Sequence, residues 1–318
     1  MSETLSVIVP CFNEEEALPH FYREICRVAG EMPQLTFELF FVDDGSSDGT
    51  LPLLRRLARE DGRVRYLSFS RNFGKEAAMY AGFTHCTGDY AAVMDADLQD
   101  PPSLLPEMLR LIREEGYDSV ATRRVTRKGE PAIRSFFARR FYALMRHISK
   151  TEIVDGARDF RLMTRQYLDA LLQLCEVNRF SKGLYGWVGF RIKWLEFENQ
   201  ERVAGTTKWS FWKLLLYSFD GIVAFSVAPL AAASLLGILL CLIALVAVGF
   251  IVVRTLLYGD PVSGWPSLAC IITFIGGIQL LCVGILGQYL SKTYLEVKRR
   301  PIYLLKEDSA KAGEEHPQ

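Results

Sequence analysis

Two long stretches without charge near the C-terminal end constrain this chain more than any other feature. The first extends from about Val227 to Val253, and the second from about Trp265 to Leu290. Each exceeds the roughly 20 apolar residues that a helix needs to cross the hydrocarbon core of a bilayer. A core helix of a soluble protein rarely stays uncharged for so long. We therefore predict two transmembrane helices, at 227–253 and 265–290.

The charged residues around these stretches predict the orientation. The connecting segment 254–264 contains one Arg and one Asp, whereas four basic residues follow the second stretch, namely Lys292, Lys298, Arg299 and Arg300. Because basic residues accumulate on the cytoplasmic side of membrane proteins, we place the domain 1–208 and the tail 291–318 in the cytoplasm. Segment 209–226 mixes aromatic residues with Lys213, as interfacial amphipathic helices do. The tail is expected to be basic and disordered.

The N-terminal part alternates short apolar runs with segments of helical spacing. Residues 5–10, 37–42, 64–69, 90–94 and 119–122 read as strands. Strands that alternate with helices predict an α/β domain with a mostly parallel sheet. Ligands of such sheets bind beyond the carboxyl ends of the strands. Polar groups follow three of these strands, at Asn13-Glu14, Asp43-Asp44 and Asp95-Ala96-Asp97.

Asp95 and Asp97 are the first candidates for chemistry. They lie two residues apart, so an extended backbone directs both carboxylates to the same side. Such close carboxylates repel each other unless a cation lies between them. With no His or Cys nearby, the oxygen ligands suit Mg²⁺ or Mn²⁺. A metal ion that holds a diphosphate is one interpretation, and a solvated acidic turn is the other.

Composition excludes several other classes. The formal net charge is +0 and the isoelectric point is ≈ 6.9, so no nucleic-acid partner is indicated. The 7 cysteines form no C-x-x-C pair, which disfavours zinc and a disulfide framework and fits a reducing compartment. The sequence contains neither G-x-G-x-x-G nor G-x-x-x-x-G-K-[ST], the fingerprints of dinucleotide and P-loop sites. The N-terminal residues do not resemble a secretory signal peptide.

Three motifs together resemble a known family. Pro10–Glu14, Asp43–Ser46 and Asp95–Gln99 look like the signatures of inverting family 2 glycosyltransferases of the GT-A fold. The resemblance is closest to the polyprenyl-phosphate enzymes, which include dolichol-phosphate mannose synthase and the bactoprenol glucosyltransferases. Ser70–Ala78 looks most like the bactoprenol branch. The resemblance implies a Rossmann-like GT-A domain and a metal-dependent hexosyltransferase.

The same resemblance implies roles for individual residues. The nucleotide sugar would be bound by Pro10, Phe12, Glu14, Val42, Asp44, Asp95, Ala96, Arg124, Arg202 and Lys208. Mg²⁺ or Mn²⁺ would be held by Asp95, Asp97 and Gln99. Asp97 and Asp159 would be catalytic, with Asp159 as the candidate base.

A base is not strictly required by the chemistry. A lipid phosphate is a monoester with a second pKa near ~6, so it is largely a nucleophile already at neutral pH. Two alternatives for Asp159 therefore stay open. It could orient the acceptor phosphate, or it could hold its own loop by bonding the local backbone.

The lipid acceptor would meet basic residues. Segment 123–146 interleaves Arg and Lys with aromatic residues, which suits an interfacial helix facing anionic headgroups, although a solvated basic face is the alternative. Arg134, Arg139 and Arg202 are the candidate ligands of the lipid phosphate. Segment 202–209 resembles the R-x-x-G-x-S-K motif of the family, and a basic loop beside the membrane is its simpler explanation.

The resemblance implies an inverting transfer of a hexose, glucose from UDP-glucose, to undecaprenyl or another polyprenyl phosphate. The polyprenyl phosphosugar would serve cell-envelope glycan modification at the bacterial inner membrane. Partners would be the sugar nucleotide, the polyprenyl phosphate and membrane lipids, with a homo-oligomer left open.

Three alternatives are retained. The first is another sugar nucleotide, GDP-mannose above all. The second is a processive polysaccharide synthase, although the Q-x-x-R-W element and the additional spans of those enzymes are not visible in the sequence. The third is a non-enzymatic scaffold. The intact set of Asp95, Asp97, Gln99, Arg124 and Arg202 argues against it.

Overall fold

The computed structural model describes residues 3–124, 154, 156–197, 223, 226–258 and 264–311. The first half consists of β1 (Glu3–Cys11), α1 (Leu18–Glu31), β2 (Leu35–Asp43), α2 (Thr50–Glu60), β3 (Val64–Phe69), α3 (Lys75–His85), β4 (Tyr90–Val93), a 3₁₀ turn (Pro102–Leu104), α4 (Leu105–Glu115) and β5 (Ser119–Arg124). The second half consists of β6 (Ala157–Thr164), α5 (Arg165–Leu172), α6 (Ser181–Trp187), β7 (Ile192–Phe197), α7 (Ala228–Tyr258), α8 (Trp265–Val297) and β8 (Leu305–Asp308).

All eight strands form one sheet in the order β7-β5-β6-β4-β1-β2-β3-β8. Strand β1 pairs in parallel with β2 and β4, and the β2–β3 and β5–β7 pairs are also parallel. Strand β6 runs antiparallel to both β4 and β5, and β8 runs antiparallel to β3. The predicted α/β fold with a mostly parallel, Rossmann-like sheet is therefore confirmed.

Helices cover both faces of this sheet. Successive strand residues face opposite sides, so Val7 and Val9 of β1 pack on one face and Ile8 on the other. Helices α1, α2 and α4 contribute to the first cluster, and α3, α5 and α6 to the second. Burial of both faces explains why the central strands read as continuous apolar runs.

The two long apolar stretches are helical. At 1.5 Å per residue, α7 and α8 extend about 46 Å and about 50 Å, which is more than the roughly 30 Å hydrocarbon core of a bilayer. Their most apolar segments, Ala228–Ala247 and Phe274–Val297, are long and apolar enough to cross a membrane, and 0% of either is buried. The predicted span boundaries 227–253 and 265–290 remain predictions, because the helices continue beyond them.

The end of α8 contacts the globular domain. Glu296 accepts hydrogen bonds from the backbone N–H groups of Val177 (2.9 Å) and Asn178 (3.2 Å). The Lys292 ammonium donates to Asn178 Oδ1 at 2.9 Å. The polar last turns of α8 therefore attach an apolar helix directly to the loop between α5 and α6.

The structure differs from the expected disordered tail at residues 291–311. Residues 291–297 continue α8, and Leu305–Asp308 form the edge strand β8. The Tyr303 ring stacks on Phe69 with 5.0 Å between centroids, and Ser309 exchanges backbone and side-chain hydrogen bonds with Tyr66. The expectation of disorder was wrong for these residues. Composition shows that the tail is polar, but it does not show that β3 offers an open sheet edge with which the tail can pair. The globular domain thus includes residues beyond the predicted segment 1–208.

Candidate active site

The first two motifs form one layer at the carboxyl end of the sheet. The Asn13 N–H donates to Ser46 Oγ at 2.9 Å, and the Ser47 N–H donates to Asn13 Oδ1 at 2.8 Å. The Glu14 N–H donates to Thr50 Oγ1 at 2.9 Å. Asn13 holds a left-handed backbone with φ of 54°, a conformation that Asn tolerates better than most residues. Because α1 begins only at Leu18, Glu14 belongs to this loop and not to the first helical turn.

Asp44 connects this layer to the segment after β3. Its carboxylate accepts the N–H groups of Phe73 at 2.6 Å and Gly74 at 2.9 Å. Burial raises the pKa of Asp44 to about 6, although these two N–H groups oppose the rise. Gly45 has φ of 69°, and a Cβ there would lie 2.5 Å from the backbone carbonyl carbon of Arg71. The Asp43–Ser46 motif therefore needs Gly at position 45, because only Gly lets its backbone lie against the backbone of Arg71.

The residues expected around the nucleoside differ in accessibility. The Phe12 ring is 36% exposed, and Pro10 and Glu14 are half-buried, so these three are open to a ligand. Val42 and Ala96 are buried in the two apolar clusters. Their side chains pack in the core, which leaves only their backbone atoms for nucleotide contact.

A lysine that the sequence analysis did not assign joins the third motif to Asp159. The Lys75 Nζ atom, at the start of α3, lies 2.5 Å from Asp95 Oδ1 and 2.5 Å from Asp159 Oδ2. Burial alone would raise the pKa of Asp159, but the ammonium groups of Lys75 and Lys182 hold it well below its usual range. Burial alone would lower the pKa of Lys75, but the two carboxylates keep it above its usual range. Lys75 and Asp159 are therefore both charged at neutral pH.

Asp97 and Gln99 lie in the turn that follows β4. The Gln99 N–H donates to Asp97 Oδ1 at 3.2 Å, and Leu98 between them has φ of 54°. The Gln99 side-chain oxygen accepts a hydrogen bond from Arg158 Nη2 at 3.4 Å. Asp95, Asp97 and Gln99 therefore follow β4 in one loop, and the Gln99 side chain is bonded to Arg158 of β6.

These residues can accommodate a divalent ion in one particular way. Mg²⁺ usually takes one or two carboxylates and completes its shell with waters and substrate phosphates. Asp95 and Asp97 are half-buried and supply two such carboxylates at an open strand end. In the described part of the chain, no group of three or more His, Cys, Asp or Glu is placed to hold a metal. The donor set fits an ion that shares its shell with a diphosphate, and it does not fit a closed structural metal site.

Arg158 also acquires a partner that the sequence did not reveal. Its Nε atom donates to Asp100 Oδ1 at 2.9 Å, and the Asp100 side chain is almost completely buried. Burial raises the pKa of Asp100 to about 6, and the charge of Arg158 opposes the rise. This pair attaches the turn after Asp97 to β6, the strand that carries Asp159.

A second contact that the sequence did not reveal holds the first residue of α6. Glu76, next to Lys75, accepts hydrogen bonds from the backbone N–H and the hydroxyl of Ser181. Segment 73–76 thus contacts Asp44, Asp95, Asp159 and the first residue of α6. Gly74 and Lys75 belong to Ser70–Ala78, which resembles the bactoprenol branch, but that resemblance gave Lys75 no role.

Arg124 is the last residue of β5. Its N–H donates to the Gly156 carbonyl at 3.1 Å, and a Cβ on Gly156 would lie 2.7 Å from the Arg124 carbonyl oxygen. Arg124 therefore sits against the loop that precedes Asp159. Other predicted site residues lie outside the described residues: Arg134, Arg139, Arg202 and Lys208.

The chain is similar to several known proteins. The family model described as glycosyl transferase family 2 matches residues 6–172. The chain is 42% identical to the putative glycosyltransferase CsbB of Bacillus subtilis, with 95% of this chain and 91% of that protein covered. It is 39% identical to a prophage bactoprenol glucosyl transferase homolog of Escherichia coli, with 95% and 98% covered. A solved structure, the mannosyltransferase PcManGT from Pyrobaculum calidifontis in complex with GDP-Man and Mn²⁺, has a TM-score of 0.47 and 18% identity, and the match covers 93% of this chain and 85% of that one.

Proposed function

Because the chain belongs to glycosyl transferase family 2, we propose that it transfers glucose from UDP-glucose to undecaprenyl phosphate with inversion at the anomeric carbon. Relatives with this acceptor in their names align with the chain over nearly its whole length at 39% identity. The relatives support the lipid acceptor and the glucosyl group. GDP-mannose remains the main alternative donor.

One structural observation carries the proposal, namely the shared contact of Asp95 and Asp159 with Lys75. The Lys75 ammonium lies 2.5 Å from both carboxylates. Asp95, on the expected donor side, and Asp159, on the expected acceptor side, therefore lie next to each other across one lysine. In the proposed reaction, an acceptor phosphate oxygen attacks the anomeric carbon. The bond from that carbon to the leaving diphosphate oxygen breaks, and its electron pair leaves with the nucleoside diphosphate.

Mg²⁺ or Mn²⁺ held by Asp95 and Asp97 would neutralise the developing charge on the leaving diphosphate. Arg124, at the end of the neighbouring strand, is our candidate for a further phosphate contact. Removal of the metal by a chelator should therefore stop turnover.

We assign Asp159 an orienting role in preference to that of a base. Its ion pair with Lys75 and its low pKa make it a poor proton acceptor at neutral pH. The acceptor phosphate is largely a dianion there and needs no proton removed.

The helices α7 and α8 support a position at the cytoplasmic face of a bacterial inner membrane. The contacts of Glu296 and Lys292 would hold the site close to the headgroups of the bilayer. An acceptor phosphate at the membrane surface could then reach Asp159 without leaving its lipid environment.

The test uses the full-length protein in detergent with undecaprenyl phosphate, a divalent ion and, in turn, UDP-glucose, UDP-N-acetylglucosamine and GDP-mannose. We expect a glucosyl phosphoryl undecaprenol, identified by mass spectrometry and with the opposite anomeric configuration to that of the donor. Asp97→Asn should reduce its formation at least about 100-fold. A lipid product only with GDP-mannose would overturn the glucose assignment, and sugar transfer only to water would overturn the acceptor.

A further inference from the structure

A small cavity lies beside Asp159, between β6, β7 and α6. Its volume is about 170 Å³. Arg161 lines it from the same face of β6 as Asp159, since the two residues are two positions apart in the strand. Lys182 and Tyr185 line it from α6, and the ammonium of Lys182 helps to lower the pKa of Asp159. The cavity and Asp159 therefore share strand β6 and the charge of Lys182.

The charged side chains that line this cavity are all cationic. Arg161 and Lys182 are cationic, and the described residues that line it include no Asp or Glu. The remaining walls contain aromatic and aliphatic side chains, in particular Phe190, Ile192 and Trp194. A neutral or cationic ligand would leave this positive charge without compensation. The lining therefore favours a ligand with an anionic group and an apolar group next to it.

Arg161 has no anionic partner among the described residues. Its side chain is 1% exposed, its guanidinium lies 3.4 Å from the centroid of the Tyr185 ring, and Nη1 donates to Tyr167 Oη at 3.4 Å. Its Nε atom has no hydrogen-bond partner in the part of the chain that the structure describes. Buried charges in proteins are normally paired and hydrogen-bonded, because an isolated one costs several kcal/mol of solvation. An anionic ligand would therefore supply the counter-charge that the buried Arg161 guanidinium lacks.

Tyr185 presents a second unused donor. Its side chain is 2% exposed, and its hydroxyl has no hydrogen-bond partner within the described ranges. Burial raises the pKa of Tyr185 well above its usual range, so the hydroxyl keeps its proton and can donate it in a hydrogen bond. Buried polar groups without partners are rare, and they often mark the site of an unplaced ligand.

We propose that this cavity binds the phosphate of the lipid acceptor, with Arg161 and Tyr185 as donors to its oxygens and Lys182 as a third positive group. Phe190, Ile192 and Trp194 would contact the first prenyl unit. This inference rests on the proposed function, since it names where the acceptor of that reaction binds. The donor diphosphate is a poorer occupant, because its expected ligands Asp95 and Asp97 follow β4 and neither of them lines the cavity.

The test compares two tyrosines whose hydroxyls differ in their partners. Among the described residues the Tyr185 hydroxyl has none, whereas Tyr22 Oη, which packs on the opposite face of the sheet, donates to Asp61 Oδ2 at 2.8 Å. Tyr185→Phe should raise the KM for undecaprenyl phosphate about tenfold or more, because a hydrogen bond to a charged acceptor is lost. It should leave the KM for the sugar nucleotide and the thermal stability unchanged. The control Tyr22→Phe should lower thermal stability and leave the KM for the acceptor unchanged.

A binding measurement separates the occupants without turnover. The melting temperature of the full-length protein is measured with a soluble short-chain prenyl phosphate, the corresponding prenyl alcohol, inorganic phosphate and UDP-glucose with Mn²⁺. We expect stabilisation by the prenyl phosphate that is lost in Arg161→Gln, with little effect of the alcohol. Equal stabilisation by inorganic phosphate would overturn the apolar part of the site. Loss of only the UDP-glucose effect in Arg161→Gln would overturn the acceptor assignment.

The two proposals fail in different ways. If the wild-type protein forms no lipid-linked sugar, the proposed function fails. If it forms that product and both Tyr185→Phe and Arg161→Gln keep the wild-type KM for undecaprenyl phosphate, the function stands and the cavity assignment is wrong.

Discussion

At the scale of single residues, Lys75 connects parts of the chain that the sequence separates widely. Its contact with Asp159 joins residues 84 positions apart. The ammonium also compensates two carboxylates that would otherwise repel each other. Lys75 thus fixes the distance between the end of β4 and the start of β6, on which any transfer between donor and acceptor depends.

Replacing this lysine gives a direct prediction. Lys75→Met should reduce turnover at least about 100-fold, because Asp95 and Asp159 lose their common partner and move apart. Lys75→Arg should retain more activity than Lys75→Met, since it keeps the charge but not the compact geometry. Lys306→Met, which removes an exposed lysine from β8, is the control and should behave like wild type. Turnover of the purified variants checks this.

The difference in stability between wild type and Lys75→Met should depend on pH. Lys75 holds the pKa of Asp159 below its usual range, so this ion pair stabilises the fold above the unfolded pKa of about 4 and is lost as the pH falls further. Thermal unfolding should therefore show the largest difference between wild type and Lys75→Met near neutral pH. The difference should shrink below about pH 4. A difference that grows toward low pH would contradict the assigned charge of Asp159.

At the scale of elements, α8 and β8 return the chain from the apolar helices to the globular domain. Strand β8 covers β3, which would otherwise be an open edge. Its attachment includes the stack of Tyr303 on Phe69 and an ion pair between Arg55 and Glu307. The His85 ring is also hydrogen-bonded to the Tyr303 hydroxyl at 3.0 Å. The C-terminal segment is thus a structural part of the sheet.

Two truncations test this role. A chain that ends at Arg300 loses β8 and the Tyr303 stack, so we expect a clearly lower melting temperature and a tendency to aggregate through β3. A chain that ends at Lys311 keeps every described contact of β8 and should melt like the full-length protein. Thermal unfolding and size-exclusion chromatography in detergent provide the measurements. Equal melting temperatures for the two truncations would show that β8 contributes nothing to stability.

At the scale of the whole molecule, the arrangement links a carboxylate-rich sheet edge to a pair of exposed apolar helices. Exposed side chains such as Leu245, Leu256 and Leu280 are more than two-thirds accessible in the isolated chain. Apolar surfaces of this extent are rare on soluble monomers and indicate contact with a membrane. Since α8 returns to the globular domain, both ends of the helical pair should lie on one side of the bilayer.

This arrangement predicts a topology that can be measured. A reporter fused after Gln318 should be active only in the cytoplasm, because Lys298, Arg299 and Arg300 lie just beyond α8. A reporter inserted near Pro261, between α7 and α8, should be active only outside. A fusion at an exposed position of the globular domain, such as Gly62, is the cytoplasmic control. A cytoplasmic signal at Pro261 would contradict the two-span topology.

The sequence by itself determined the features that depend on near neighbours along the chain. Runs of apolar residues located five of the strands in the sheet, and Val64–Phe69 was predicted with its observed bounds. Uncharged length located α7 and α8. The polar residues at the strand ends, Asp44, Asp95 and Asp97, were also predicted, because ligands of parallel sheets meet their carboxyl ends.

Only the tertiary structure decided which of these groups touch. The contacts of Lys75 with Asp159 and of Arg158 with Asp100 join residues 84 and 58 positions apart. They depend on β6 lying antiparallel beside β4, which no local pattern encodes. The cavity around Arg161 and the pairing of β8 likewise arise from surfaces that meet after folding. Local periodicity reflects the geometry of one element, whereas these contacts depend on the packing of several elements, so they appear only when the whole chain is folded.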